Sequence, residues 1–278
     1  MLKQRILTAI PLAVLVIWGI LTQPVDVIFY ALLLVIFISG WEWAGLSGVQ
    51  NTGTLNKIYR LVYGVLIVAL VYLSQKFIES NPQWLNLVLG LTVLGWFFAI
   101  FHMFTKGPQA AAQKISITKF LIGVIALVSP VLALVYIRDE GVWWLFYCLS
   151  IVWIADIGAY FSGKRFGKNK LAPQLSPGKT KEGLYGAVFA TAAYSFVMGF
   201  AFFELQILQI LMLLIITVLA TYVSVAGDLF ISLLKREKGL KDTGNILPGH
   251  GGILDRIDSV LSSAPFFALF LGLVIFNG

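Results

Sequence analysis

Nine apolar runs separated by short polar breaks organise this chain. They fall at roughly 5–22, 25–42, 61–75, 84–103, 118–137, 142–162, 184–203, 206–227 and 258–276. A helix needs about 20 largely apolar residues to cross the hydrocarbon core of a bilayer. A membrane barrel would instead show alternating strands of about ten residues, and no such alternation is present. The pattern predicts an all-α polytopic membrane protein with about nine transmembrane helices. Breaks such as Gln23-Pro24, Asn81-Pro82 and Arg138-Asp139-Glu140 mark the connections.

Composition agrees with this reading. The chain has 278 residues, of which 59% are hydrophobic and 12% charged, against about 25% charged in soluble domains. A water-soluble globule is excluded. The net charge of +7 does not point to nucleic acid, because no hydrophilic domain exists to present a basic face. Cys148 stands alone and can form neither an internal disulfide nor a thiolate metal site. Lys3 and Arg5 ahead of the first run could open a signal peptide. Without a clear small-residue cleavage site, an uncleaved first span is expected.

With the N-terminus in the cytoplasm, all of the 20 Lys and Arg residues except Lys76 and Arg138 fall at cytoplasmic ends or loops. Positive charge favours that side, so the distribution supports both span number and orientation. The expected location is the inner, cytoplasmic membrane, with the polar chemistry facing the cytoplasm. Residues 1–140 carry no dense polar cluster and read as scaffold helices. Residues 141–278 read as the catalytic region. No internal repeat is visible, which weakens a reading as a transporter built on duplicated halves.

Two cytoplasmic segments hold the candidate chemistry. The first, 163–183, reads GKRFGKNKLAPQLSPGKTKEG. Its Ser176, Lys179 and Thr180 stand beside glycines, as a polyphosphate-contacting backbone would require. Gly158 to Lys164 matches half of a P-loop, but Arg165 replaces the Ser or Thr that would reach the metal, and the stretch ends a membrane span. That motif is rejected.

The second segment, Ser232 to Asp258, reads SLLKREKGLKDTGNILPGHGGILDRID. Just upstream, Ser224, Asp228, Ser232 and Lys235 recur at helical spacing and predict one polar stripe. Their apolar run, Ile207 to Leu234, exceeds what the hydrocarbon core accommodates, so it must tilt, bend or emerge. Asp255, Asp258, Ser259 and Ser262 form a second stripe. Capping of a helix N-terminus would explain one of its carboxylates. Ionisable groups at membrane depth are costly and mark function by default, and Asp156 adds a third intramembrane carboxylate position.

Oxygen ligands from separate segments suit Mg²⁺, which keeps waters and completes its shell with substrate phosphates. Asp228 and Asp255 are the expected ligands, with Asp258 behind them or as a further ligand. Lys235, Arg236, Lys241 and Arg256 are placed to contact phosphates. Lys238 is expected to face solvent or anionic head groups. His250 sits in a glycine turn where backbone approaches a ligand closely, and both a structural and a basic role stay open.

The second segment closely resembles the phosphatidate cytidylyltransferase (CDP-diacylglycerol synthase) family. The resemblance rests on Ser232, Lys235-Arg236, Lys241-Asp242, Pro248, His250-Gly251-Gly252, Asp255-Arg256 and Asp258 at the family's spacing. Asp156, Ser176-Pro177, Lys179-Thr180 and Glu182-Gly183 also look like the family's second polar region. The resemblance implies transfer of a cytidylyl group from CTP to phosphatidic acid, with one Mg²⁺ or two, and a homodimer. It implies a catalytic set of Lys179, Lys235, Arg236, Lys241, Asp242, His250, Arg256 and Asp258. Ser176, Lys179, Thr180, Ser232, Gly251 and Gly252 would bind the nucleotide, and Asp228 and Asp255 the metal. A polyprenol kinase-like CTP enzyme and a cation-coupled transporter are the rival readings. A CDP-alcohol phosphotransferase is excluded, because its Asp-Gly-x-x-Ala-Arg string is absent.

Overall fold

The structure, a computed structural model, describes residues 2–48, 53–106, 116–247 and 249–276, with side chains from residue 10. Pro248 and the side chains of Lys3 and Arg5 therefore lie outside the described residues.

The helices are α1 (Leu2–Thr22), α2 (Val25–Ser47), α3 (Thr54–Ser80), α4 (Leu85–Lys106), α5 (Ile117–Glu140), α6 (Val142–Phe166), α7 (Lys181–Val197), α8 (Ile207–Glu237) and α9 (Leu254–Leu271). Eight of them are long and apolar enough to cross a membrane, while α1 carries a shorter apolar stretch, Ile10–Thr22. The chain is thus a helical, multi-pass membrane protein.

Burial sorts the helices into centre and rim. In α9 and α5, 67% and 61% of the apolar window is buried, against 22% in the α7 span, so α5 and α9 form the axis of the bundle. Around them α2 packs on α3, α6 on α7 and α8 on α9. Large apolar side chains left on outward faces, such as Phe98, Phe101, Phe161 and Phe189, suit contact with lipid tails rather than with water.

Helix ends follow local chemistry. The Ser116 hydroxyl accepts from the Lys119 amide at the start of α5. The Thr180 hydroxyl accepts from the Gly183 amide at the start of α7. Such caps satisfy amides that have no partner within the helix.

The first polar segment, expected to be loop, folds further than that. Here α6 runs on to Phe166, and a two-stranded antiparallel hairpin follows, β1 (Lys170–Ala172) with β2 (Ser176–Thr180). The second segment also shortens, because α8 continues to Glu237 and α9 begins at Leu254. The long apolar run forms one continuous 31-residue helix.

The close approach of α8 and α9 depends on Gly227. A Cβ there would meet the Ser262 side chain and the Asp258 carbonyl. With glycine in place, the Ser262 hydroxyl donates to the Val223 carbonyl at 2.9 Å. This contact brings the polar stripes of the two helices together.

Candidate active site

Two adjoining polar assemblies sit at one end of the bundle. The first is a cleft of about 460 Å³ lined by Asp156, Tyr160 and Lys164 of α6, Lys179 and Thr180 of β2, and Val225 of α8, among others. The hairpin forms one wall and is tied down at both ends. Glu182 accepts from the Lys168 and Asn169 amides and from the Asn169 side chain. At the tip, the Arg236 Nε–H donates to the Leu175 carbonyl at 3.1 Å.

Lys179 projects from the hairpin to Asp228 on α8, with Nζ 2.6 Å from Oδ2. The other Asp228 oxygen accepts from the Ser232 hydroxyl at 3.3 Å. This i, i+4 bond shows the predicted stripe running along α8. Asp156, on α6, and Asp258, on α9, each lie within Coulombic range of both Asp228 and Lys179. Arg256 also reaches Asp156 electrostatically. Carboxylates from three helices thus share the field of Lys179.

The second assembly surrounds Asp255 in the first turn of α9. One oxygen accepts from Lys235 Nζ at 2.8 Å. The other accepts from the Thr243 amide at 2.8 Å, the Thr243 hydroxyl at 3.0 Å and the Gly252 amide at 3.0 Å. Lys235 and Asp255 are both buried. This one carboxylate therefore fastens the end of α8 and both ends of the glycine-rich loop to α9.

Behind it stands Glu42, which the sequence reading passed over. It lies near the end of α2 and is 2% exposed. Its carboxylate accepts from the Thr243 hydroxyl at 2.9 Å, the Leu254 amide at 2.8 Å and the Ile253 amide at 3.2 Å. Gly252 makes room for this contact, since a Cβ there would meet both Thr243 Oγ1 and Glu42 Oε2. The available signal was Trp41-Glu42-Trp43, an acid between two indoles at the edge of an apolar run. Ending the second span at residue 42 placed that acid at the surface, whereas α2 continues to Ser47.

The remaining sequence-predicted residues divide by environment. Lys241, Asp242 and Arg256 are exposed, and His250 is half-buried in the turn where its amide donates to the Leu247 carbonyl at 2.9 Å. Gly251 closes the same turn through a backbone bridge to Leu247. Ser176 begins β2, and Thr180 ends it as the α7 cap.

Lys238 departs from expectation. It is 5% exposed and donates to the Gly48 carbonyl. Burial, and then neighbouring Lys119, pushes its ammonium below the usual lysine value, with Glu237 opposing. The reason is tertiary. The end of α8 lies between the end of α2, at Gly48, and the start of α5, where Lys119 pairs with Glu237 at 2.6 Å, so a side chain drawn towards solvent in the sequence is enclosed.

The donor set fits a hard divalent cation only with help from a substrate. Among the described residues, no three His, Cys, Asp or Glu side chains are grouped closely enough to enclose a metal. Asp228 and Asp255 each meet a lysine ammonium at one oxygen, so each already faces positive charge. Carboxylate oxygens carry further acceptor capacity, and Mg²⁺ typically takes one or two carboxylates plus water and phosphate. The residues therefore suit a metal that arrives with a polyphosphate.

Fold and site together define a class: a multi-pass helical membrane enzyme with a cationic, carboxylate-lined cleft at a helix-bundle end. The chain belongs to the Cytidylyltransferase family, whose profile matches residues 3–274. It is 38% identical over 278 residues to a phosphatidate cytidylyltransferase of Pseudomonas aeruginosa, covering 98% of this chain and 97% of that one. A Haemophilus influenzae protein of the same description is 33% identical over 292 residues, covering 99% and 100%. One from Bacillus subtilis is 44% identical over 133 residues, 48% of this chain and 49% of that one.

The Lys235–Asp255 pair generates a stability prediction. Removing one partner of a buried ion pair leaves an uncompensated charge and costs about 3–5 kcal/mol. Lys235→Ala should destabilise the detergent-purified protein by that order, read from its thermal or denaturant unfolding. An unchanged midpoint would mean that the amide donors alone hold Asp255.

Proposed function

We propose that this protein transfers the cytidylyl group of CTP to phosphatidic acid, yielding CDP-diacylglycerol and pyrophosphate. The observation that carries this reading is the junction of two unlike cavities. The polar cleft shares Leu171, Leu184 and Val225 with an apolar groove of about 260 Å³ between α4 and α8, lined also by Phe97, Ile100 and Phe104. A water-borne nucleotide and a lipid can thus be served side by side. Full-length similarity to proteins described as phosphatidate cytidylyltransferases supports the choice of substrates.

In the reaction, a phosphate oxygen of the lipid attacks the α-phosphorus of CTP. The bond from that phosphorus to the bridging oxygen breaks, and pyrophosphate leaves with the electron pair. The nucleophile is already anionic, so no strong base is required, and His250 need not serve as one. The chemistry turns on neutralising and aligning phosphates. Lys179 is placed to do so at the cleft wall, and Lys235 and Arg256 from the α8 and α9 ends. Ser176, Thr180 and Ser232 would add hydroxyl contacts. Arg236 holds the hairpin, while Lys241, Asp242 and the backbone at Gly251 and Gly252 present the loop to the nucleotide. Asp228 and Asp255 would hold Mg²⁺, with Asp258 behind them. When bound, the metal screens phosphate charge and favours departure of pyrophosphate.

Asp228→Asn or Asp255→Asn is expected to lower turnover in a radiolabelled CTP assay by at least about 10²-fold, with membrane insertion intact. Chelation should abolish activity and added Mg²⁺ should restore it. Product formation by both variants at the native rate would remove the metal assignment.

The apolar groove is proposed to take an acyl chain. Val225→Trp narrows the junction and should raise KM for long-chain phosphatidic acid about tenfold while leaving KM for CTP unchanged. A shift in both constants, or in neither, would place the lipid elsewhere.

We further propose a cytoplasmic site in the inner membrane, residues 1–140 as scaffold beneath a catalytic 141–278 region, and a homodimer. A cysteine at Lys164 should react with a membrane-impermeant maleimide in inverted vesicles but not in intact cells. Light scattering of the detergent complex should give twice the chain mass.

A further inference from the structure

Glu42 presents a problem of economy. Its carboxylate is buried, yet the ion pairs among the described residues leave it out. Arg60 of α3 reaches it electrostatically, without a direct ion pair. Taking a charged group out of water is costly, and a fold alone could be held by an apolar side chain at that place. Among the described residues its three hydrogen bonds go to the segment that leads into Asp255: the Thr243 hydroxyl and the Ile253 and Leu254 amides. Within that segment the chain has little regular structure of its own beyond the Leu247–Gly251 bridge. Its geometry must come from outside.

Two carboxylates supply that geometry from opposite sides. Asp255 grips Thr243 and Gly252, and Glu42 grips Thr243, Ile253 and Leu254. The Thr243 hydroxyl stands between them, 2.9 Å from Glu42 Oε2 and 3.0 Å from Asp255 Oδ2, so its single proton is shared between the two carboxylates. Glu42 belongs to α2, far from the glycine loop in sequence, and α2 is itself packed on α5 and α3. A rigid helix of the first half thereby sets where the loop and the first turn of α9 come to rest.

We infer that Glu42 is a positioning residue for cytidylyl transfer, acting through Thr243 and the 253–254 backbone to hold the glycine loop and Asp255 in their reactive placement. The inference rests on the reading of Asp255 and the loop as reaction machinery. Misplacement of reacting groups by about 1 Å can cost about 10²-fold in rate, so a tie of this kind should register in kcat. The apolar groove lies on the α4–α8 side and is lined by none of these residues, so lipid KM should not follow.

The test uses the full-length protein with Glu42→Gln, which keeps shape and can satisfy only part of the donor set. Expected are a fall in kcat of about tenfold, a phosphatidic acid KM within about twofold of the native value, and faster amide exchange across 243–254 in metal-free protein, with α5 peptides unchanged. Thr243→Val should also lower kcat, and the double variant should lose less than the sum of the two, because both disturb the shared Glu42–Thr243 contact. Native kcat and native exchange in Glu42→Gln would overturn the inference. So would a loss explained wholly by less folded protein, with exchange raised throughout the bundle. If Asp228→Asn and Asp255→Asn are inactive while Glu42→Gln is native, this inference fails and the functional reading stands. If both Asp variants are active, the reading of Asp255 as reaction machinery fails with the metal assignment; if the native protein forms no CDP-diacylglycerol, the functional reading itself fails.

Discussion

Carboxylates placed among membrane helices must find cations or donors, and this constraint governs how one end of the bundle is built. Asp228 meets Lys179 across a hairpin, Asp255 meets Lys235 across the α8–α9 turn, and Glu42 takes amides and a hydroxyl from a loop. Each partnership joins segments far apart in the chain. The cost of leaving any of these groups unpaired in a low-dielectric interior is several kcal/mol. The polar network therefore fixes where α2, α8, α9 and the hairpin stand relative to one another.

The same network sets lysine and arginine charge against the clustered acids of the cleft in one electrostatic field. Lys164 and Lys179 line the cleft, Lys179 meets Asp228 directly, and Lys179 and Arg256 both act on Asp156. The contact at Gly227 makes the field compact, since it lets α9 carry Asp258 against α8. A larger residue there would separate the two stripes that supply most of the charge.

The apolar groove gives this arrangement its second half. Leu171 sits in the hairpin, Leu184 in α7 and Val225 in α8, and all three line both cavities. One short strip of side chains thus divides water-facing chemistry from lipid-facing surface. The hairpin is central to this, because its strand β2 carries Lys179 on the polar side and its strand β1 carries Leu171 towards the groove.

The hydrophobic pattern determined the membrane class, because spanning helices must be apolar over a length that bilayer thickness dictates. Helical spacing likewise determined the stripe on α8, where Ser232 bonds Asp228 one turn away. These are local properties, set by periodicity along one segment. The hairpin was not legible, since three- and five-residue strands carry too little pattern to separate from loop. The burial of Lys238 and the role of Glu42 were decided only by tertiary structure. Each depends on which distant backbone groups come within about 3 Å, and hydrogen-bond donors of a loop leave no trace in the periodicity of the helix that accepts from them.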